Sequence, residues 1–250
     1  MKRHTVSLSI DVPSWLYRLL RGLRRRVPLL LNKGVAANLL GDRDIEWSWV
    51  ASHIPEGPGL CLDFGAGGSM LGLIAAMRGF ETTALDLSSP DWDYIDPRLS
   101  FVRQDILECT LPEGRFDLII NCSAVEHVGL AGRYDGASSR PDGDLEAMGI
   151  MRRLLKPDGK MILTAPVGKD QVFAPYCRVY GRNRLPALLH GYCVQEEAFW
   201  VKDAANRWAP CAKETALDFE ASAGSGRALS DVYALGCFVL KGGPAQDVNR

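Results

Sequence analysis

Residues 60–69 read Leu60-Cys61-Leu62-Asp63-Phe64-Gly65-Ala66-Gly67-Gly68-Ser69, an apolar run ending at a carboxylate and a glycine-rich turn, with a helical stretch following at 70–78. A short buried strand that runs through such a turn into a helix is the opening unit of an open α/β sheet, whose ligands bind at the carboxyl ends of the strands. Glycine suits the turn because tight turns need φ values that a Cβ forbids, and because backbone must come close to the ligand. The dinucleotide fingerprint G-x-G-x-x-G requires a third glycine where this chain has Met70. That weakens a pyrophosphate site.

Outward from this unit the apolar segments 82–85, 100–102, 116–120 and 161–164 also read as buried strands, with a further helix over 144–155. Repetition of strand, helix and strand predicts a doubly wound, mostly parallel seven-stranded sheet with right-handed crossovers. Pro157-Asp158-Gly159 reads as the turn into the fifth strand. Scattered Pro, Gly and Arg over 167–228 predict a substrate-side insertion, and 232–241 predicts the last strand. The expected organisation is a helical extension over 1–54, a sheet domain over 55–241 and a tail over 242–250.

The formal net charge of −1 is the sum of unlike parts. Residues 1–33 carry eight Lys or Arg against Asp11 alone, so this arm is +7 and the remainder −8. Trp15, Leu16, Leu19, Leu20, Leu23 and Val27 recur at helical spacing, with Asp11 and Pro13 as a start and Pro28 as a stop. Such a helix either attaches to an anionic membrane surface or packs its leucines on the domain with its arginines solvated. A second helix is expected from Asp42 to Pro55. Seven cysteines, odd in number and without a C-x-x-C pair, argue against a disulfide framework or zinc ribbon, and predict a reducing, cytoplasmic setting. No metal is expected. The acidic body disfavours nucleic acid, and no apolar run reaches the roughly 18 residues of a spanning helix.

Asp86 ends the second strand nineteen residues after Gly67, the spacing at which an acid can hold both ribose hydroxyls. Gln104-Asp105-Ile106 follows the third strand and Asn121-Cys122-Ser123 the fourth. Three acids and a glycine turn suit a nucleoside with a cationic or zwitterionic tail; they would repel a diphosphate.

LDFGAGGS, ALDLS, RQDI, FDLIINCSAVEHV and LLKPDGKMILTAP, in this order, resemble the motifs of class I S-adenosylmethionine-dependent methyltransferases. The resemblance covers about residues 59–166 and the final strand. It implies S-adenosyl-L-methionine as cofactor, with Gly65, Ala66, Gly67 and Ser69 around its methionine part and Asp63 near the amino group. Asp86 would hold the ribose, Leu87 would pack on the adenine, and Asp105 with the Ile106 backbone would face it; Asn121 completes the expected cofactor set.

Glu126-His127-Val128-Gly129-Leu130, Arg133-Tyr134, Pro141-Asp142-Gly143-Asp144, Pro166-Val167-Gly168-Lys169-Asp170 and Arg178-Val179-Tyr180-Gly181-Arg182 resemble a methyltransferase-like family of nematodes and bacteria. That family commonly has His before the Arg-x-Tyr-Gly string, whereas this chain has Cys177.

Methyl transfer to a hydroxyl needs positioning and a base. His127 follows the fourth strand at the expected mouth and is either that base or a loop-fixing residue. Tyr134 and Asp144 are the other catalytic candidates, although Asp144 also stands where a helix N-cap belongs. The expected function is O-methylation of a small or lipid-linked, sugar-containing acceptor in polysaccharide or secondary-metabolite biosynthesis. The competing readings are a nicotinamide-dependent oxidoreductase or epimerase and a catalytically silent binding protein.

Overall fold

β1 (Gly59–Phe64), β2 (Phe80–Asp86), β3 (Leu99–Arg103), β4 (Phe116–Cys122) and β5 (Leu155–Val167) pair in parallel in the order β3-β2-β1-β4-β5. The coordinates are a computed structural model, which describes residues 43–90, 92, 94–132, 139–202, 207–221 and 233–242. β10 (Ala234–Gly242) adds antiparallel to β5, β8 (Tyr192–Lys202) antiparallel to β10, and β9 (Trp208–Cys211) antiparallel to β8. The sheet therefore has eight strands among the described residues where seven were expected. The additional strand and its neighbour lie inside 167–228, so much of the expected insertion is sheet. β8 escaped the sequence pattern because it runs near the sheet margin with residues 193–197 exposed, leaving only the short apolar run 198–201 beyond Glu196 and Glu197.

Between β5 and β8 come a small hairpin, β6 (Gln171–Phe173) with β7 (Cys177–Val179), and a short helix, α4 (Arg184–Leu188). α5 (Lys213–Leu217) follows β9. Pro157-Asp158-Gly159 is not a turn before β5. It lies within the strand, at an irregularity where pairing jumps from Phe116–Leu155 to Leu118–Lys160.

Alternation of side chains along the strands divides the interior into two layers. Leu62, Ile119, Met161 and Leu163 face a core completed by α3 (Gly143–Leu154), through Ala147, Met148 and Met151. Cys61, Leu118, Ile120 and Ile162 face the other, completed by α1 (Arg43–His53) through Val50, with Ile54 just beyond it, and by α2 (Leu71–Met77) through Leu71 and Ala75. Both faces being covered explains why these strands are near-continuously apolar.

α1 thus belongs to the sheet domain. It lies in the compact unit Leu39–Arg250, whereas the expected organisation placed it in the helical extension over 1–54. Val50 and Ile54 are core residues and the Glu46 carboxylate is buried, so the helix folds with the sheet. The basic arm over residues 1–33 lies outside the described residues.

Candidate cofactor and acceptor site

The carboxyl ends of β1, β2 and β4 and the segment after β3 enclose a cavity of about 600 Å³. Its floor is the glycine turn. Gly65 has φ +68°, and a Cβ there would lie 2.3 Å from Ala124 Cβ, so this corner accepts glycine alone. The Gly65 N–H donates to the Leu85 carbonyl at 2.8 Å, and the Gly67 N–H to Asp86 Oδ2 at 3.0 Å. Asp86 Oδ1 accepts from the Ser88 N–H at 3.0 Å. Each oxygen of this carboxylate keeps acceptor capacity beyond that one bond, because an ionised carboxylate offers about four lone-pair positions.

A second layer of contacts holds the turn from outside. Trp92 Nε1 donates to the Gly67 carbonyl at 3.1 Å and Tyr94 donates its hydroxyl to the Ser69 carbonyl at 2.8 Å. The two rings stack with centroids 5.3 Å apart. Sequence reasoning missed this brace, since an aromatic residue in a loop carries no periodic signal.

Asp63 is buried at the head of α2, where a Cβ on Gly72 would come within 2.8 Å of its Oδ2. That oxygen has no hydrogen-bond partner. Burial pushes the carboxyl up to about 7; the Gly72 backbone N–H acts in the opposite direction and the charge of Asp86 adds to the rise. A buried acid with an orphaned oxygen beside a second acid is a place that a cation would stabilise.

Asp105 caps a single 3-10 turn, Ile106–Glu108, by accepting from the Leu107 N–H at 2.9 Å, and it lines the cavity together with Leu87 and Ile106. Asp63, Gly65, Ala66, Gly67, Ser69, Asp86, Leu87, Asp105 and Ile106 are therefore brought to one cavity. Asn121 is not with them. It is buried behind the wall, its Nδ2 facing the sulfurs of Met148 and Met151 at 3.8 and 3.9 Å and its Oδ1 accepting from the Val125 N–H at 3.3 Å. The side chain secures the 3-10 turn Val125–His127 and does not line the cavity.

His127 does line it. The imidazole Nδ1 donates to the Tyr176 carbonyl at 2.6 Å, and Nε2 stands 3.6 Å from Glu126 Oε1. Asp144 is a correction: it is neither in the cavity nor a helix cap. It follows the first residue of α3, is fully buried, and is gripped by Arg184 at 2.5 Å with Arg178 at 3.6 Å. Asp142 is the cap residue, with no side-chain capping bond. Tyr134 lies outside the described residues.

Other lining residues went unrecognised in the sequence. Trp47 reaches the cavity from α1, and Ser123 sits at φ +45°, an unusual conformation for a residue other than glycine. Ser123 donates its hydroxyl to the buried Glu46 carboxylate, which also accepts from Thr164. Arg140 lines the cavity as well. Only tertiary contact brings residues 47, 123 and 140 together.

Residues 105–204 match the model of a family described as "Caenorhabditis protein of unknown function, DUF268". A curated Bacillus subtilis relative, "Putative methyltransferase YqeM", is 26% identical over 144 residues, 52% of this chain and 54% of its own length. The match spans about half of that relative.

Among solved structures, Burkholderia thailandensis 1,6-didemethyltoxoflavin-N1-methyltransferase, with bound 1,6-didemethyltoxoflavin and S-adenosylhomocysteine, superposes with TM-score 0.55 at 16% identity. This likeness covers 95% of this chain and 93% of that one. An S-adenosylmethionine-dependent methyltransferase from Mesorhizobium loti gives 0.52 at 14% identity, covering 78% and 97%. The chain has the Rossmann-like fold of these methyltransferases.

Proposed function

We propose that this chain is a class I S-adenosyl-L-methionine-dependent methyltransferase that acts on an oxygen of a small or lipid-linked, sugar-containing acceptor. The observation that carries the cofactor assignment is the buried, orphaned Oδ2 of Asp63 beside Asp86 at the glycine turn. The cofactor's cationic amino group and sulfonium would relieve that negative charge, whereas a diphosphate would add to it. The likeness of fold and the match to YqeM support the same reading.

S-adenosylmethionine, when bound, supplies an electrophilic methyl group for in-line displacement. The residues of the chain bind and orient. Gly65 to Ser69 would carry the methionine part, Asp86 the ribose hydroxyls, and Leu87, Asp105 and Ile106 the adenine. Because the Tyr176 carbonyl can only accept, Nδ1 of His127 carries the proton of the neutral ring and Nε2 holds the lone pair. Nε2 is then the atom that takes the acceptor's proton, the role of a general base.

Isothermal titration with S-adenosylmethionine tests the cofactor assignment: saturable binding is expected in the full chain, with strong weakening in Asp86→Ala. Transfer of labelled methyl from that cofactor into a fractionated extract then identifies the acceptor. Unchanged affinity in Asp86→Ala would remove the site described above.

No helix among the described residues is long and apolar enough to cross a membrane. Cytoplasmic residence, peripheral contact through residues 1–33 and absence of a nucleic-acid partner complete the proposal. They are supported by the +7 arm, the −8 body and an odd number of cysteines without a C-x-x-C pair.

A further inference from the structure

The cavity is lined by charges of both signs. Asp63, Asp86, Asp105 and Glu108 are its acids, and Arg140 is the one permanent cation among the described lining residues. The backbone of Arg140 is fixed on several sides. Its N–H donates to the Gly129 carbonyl at 3.0 Å, and its carbonyl accepts from the Gly143 N–H at 3.0 Å and from Arg178 Nη2 at 3.3 Å. Gly129, at φ +77°, closes the corner, since a Cβ there would lie 2.3 Å from that carbonyl.

Arg178 makes this corner rigid. Its side chain is 1% exposed, donates to the carbonyls of Glu126, Val128, Arg140 and Pro141 at 2.7–3.3 Å, and lies 3.6 Å from Asp144. Burying a guanidinium costs several kcal/mol unless a carboxylate and hydrogen bonds offset it. Here those bonds tie the segment bearing His127 to the segment bearing Arg140. The Arg140 side chain itself remains 41% exposed, and Glu146, its partner at 3.1 Å, is 50% exposed. Exposed pairs of this kind contribute little, so an entering anion displaces Glu146 readily. A guanidinium fork matches the planar geometry of a carboxylate or phosphate.

We propose that Arg140 determines acceptor specificity by binding an oxyanion, carboxylate or phosphate, that the acceptor carries away from the atom receiving the methyl group. The inference rests on the methyltransferase reading and narrows it: the acceptor is acidic.

The test uses the full chain saturated with S-adenosylhomocysteine and three probes of similar size: phenyl phosphate, benzoate and neutral benzyl alcohol. Titration followed by ligand-observed NMR is expected to show at least one acidic probe binding about tenfold or more tightly than benzyl alcohol. Arg140→Gln should lose that preference, Arg140→Lys should keep part of it, and both should bind S-adenosylhomocysteine as the parent does. The inference is overturned if neither acidic probe is preferred or if Arg140→Gln retains the preference. It is also overturned if that variant loses about tenfold in S-adenosylhomocysteine affinity, which would place Arg140 on the carboxylate of the cofactor. Failure of the parent chain to bind S-adenosylhomocysteine would remove the methyltransferase reading and this inference together, and so is distinguishable from the other outcomes.

Discussion

His127 and Tyr176, 49 positions apart in the chain, meet through a hydrogen bond of 2.6 Å from the imidazole Nδ1 to the backbone carbonyl. β7 starts at the next residue, Cys177, so the hairpin that delivers this carbonyl also delivers Arg178 to the loop carrying His127. One short strand therefore orients the candidate base and anchors the backbone beside it.

The first prediction concerns that imidazole. Nitrogen-15 spectra of the neutral ring should show the Nδ1–H tautomer. His127→Gln should lower methyl transfer by about 100- to 10,000-fold, the range of a lost general base, with S-adenosylmethionine affinity unchanged. A predominant Nε2–H tautomer would contradict the role assigned to Nε2.

Asp63 gives a pH dependence whose sign can be worked out. Its carboxyl is raised from 3.8 to about 7 in the fold, chiefly by burial, so between these values the folded state holds more protons than the unfolded chain. The stability that this group contributes to the ligand-free protein is complete below about pH 4 and is lost as pH rises through about 7, by up to roughly 1.4 kcal/mol per pH unit. Asp63→Asn should flatten that slope in denaturant titrations. A cationic cofactor lowers the same pKa, so binding just below pH 7 should release a proton, visible as a buffer-dependent calorimetric enthalpy.

Neighbouring glycines should respond differently to a methyl group. Gly65→Ala places Cβ 2.3 Å from that of Ala124 at positive φ, and should destabilise the fold by about 1–3 kcal/mol or prevent cofactor binding. At Gly68 no atom lies within 4 Å of an added Cβ, so Gly68→Ala should shift the unfolding midpoint little. Comparable losses in both variants would show that the turn is not built as described.

Arg178→Met removes one partner of a fully buried pair and leaves four carbonyls without their shared donor. A loss of about 3–5 kcal/mol is expected in chemical denaturation. Arg182→Met, which breaks a pair exposed by more than half on both sides, should cost less than about 1 kcal/mol.

The arm is tested apart from the site. Deleting residues 1–33 should abolish sedimentation with anionic liposomes and leave S-adenosylmethionine affinity intact. Sedimentation that persists without the arm would place any membrane contact elsewhere.

The strand–turn–helix of residues 60–78, the succession of five buried strands along the chain and the acids ending β1 and β2 were legible in the chain alone. Each rests on local chemistry: apolar runs long enough for a buried strand, glycines where φ must be positive, and carboxylates at a fixed offset from the turn. Cofactor-facing residues are therefore the readable part, because one βαβ unit and its successor supply nearly all of them.

Tertiary structure decided what lies opposite. Trp47, Ser123, His127 and Arg140 share a cavity only because α1 packs under the sheet and β7 brings Arg178 beneath the loops after β4. Asn121 and Asp144 carry the polar groups of candidate ligands, yet packing turns the first onto two methionine sulfurs and buries the second between two arginines. Residue type and spacing fix what a side chain can do; its burial and its partners, set by contacts distant in the chain, fix whether it faces the ligand.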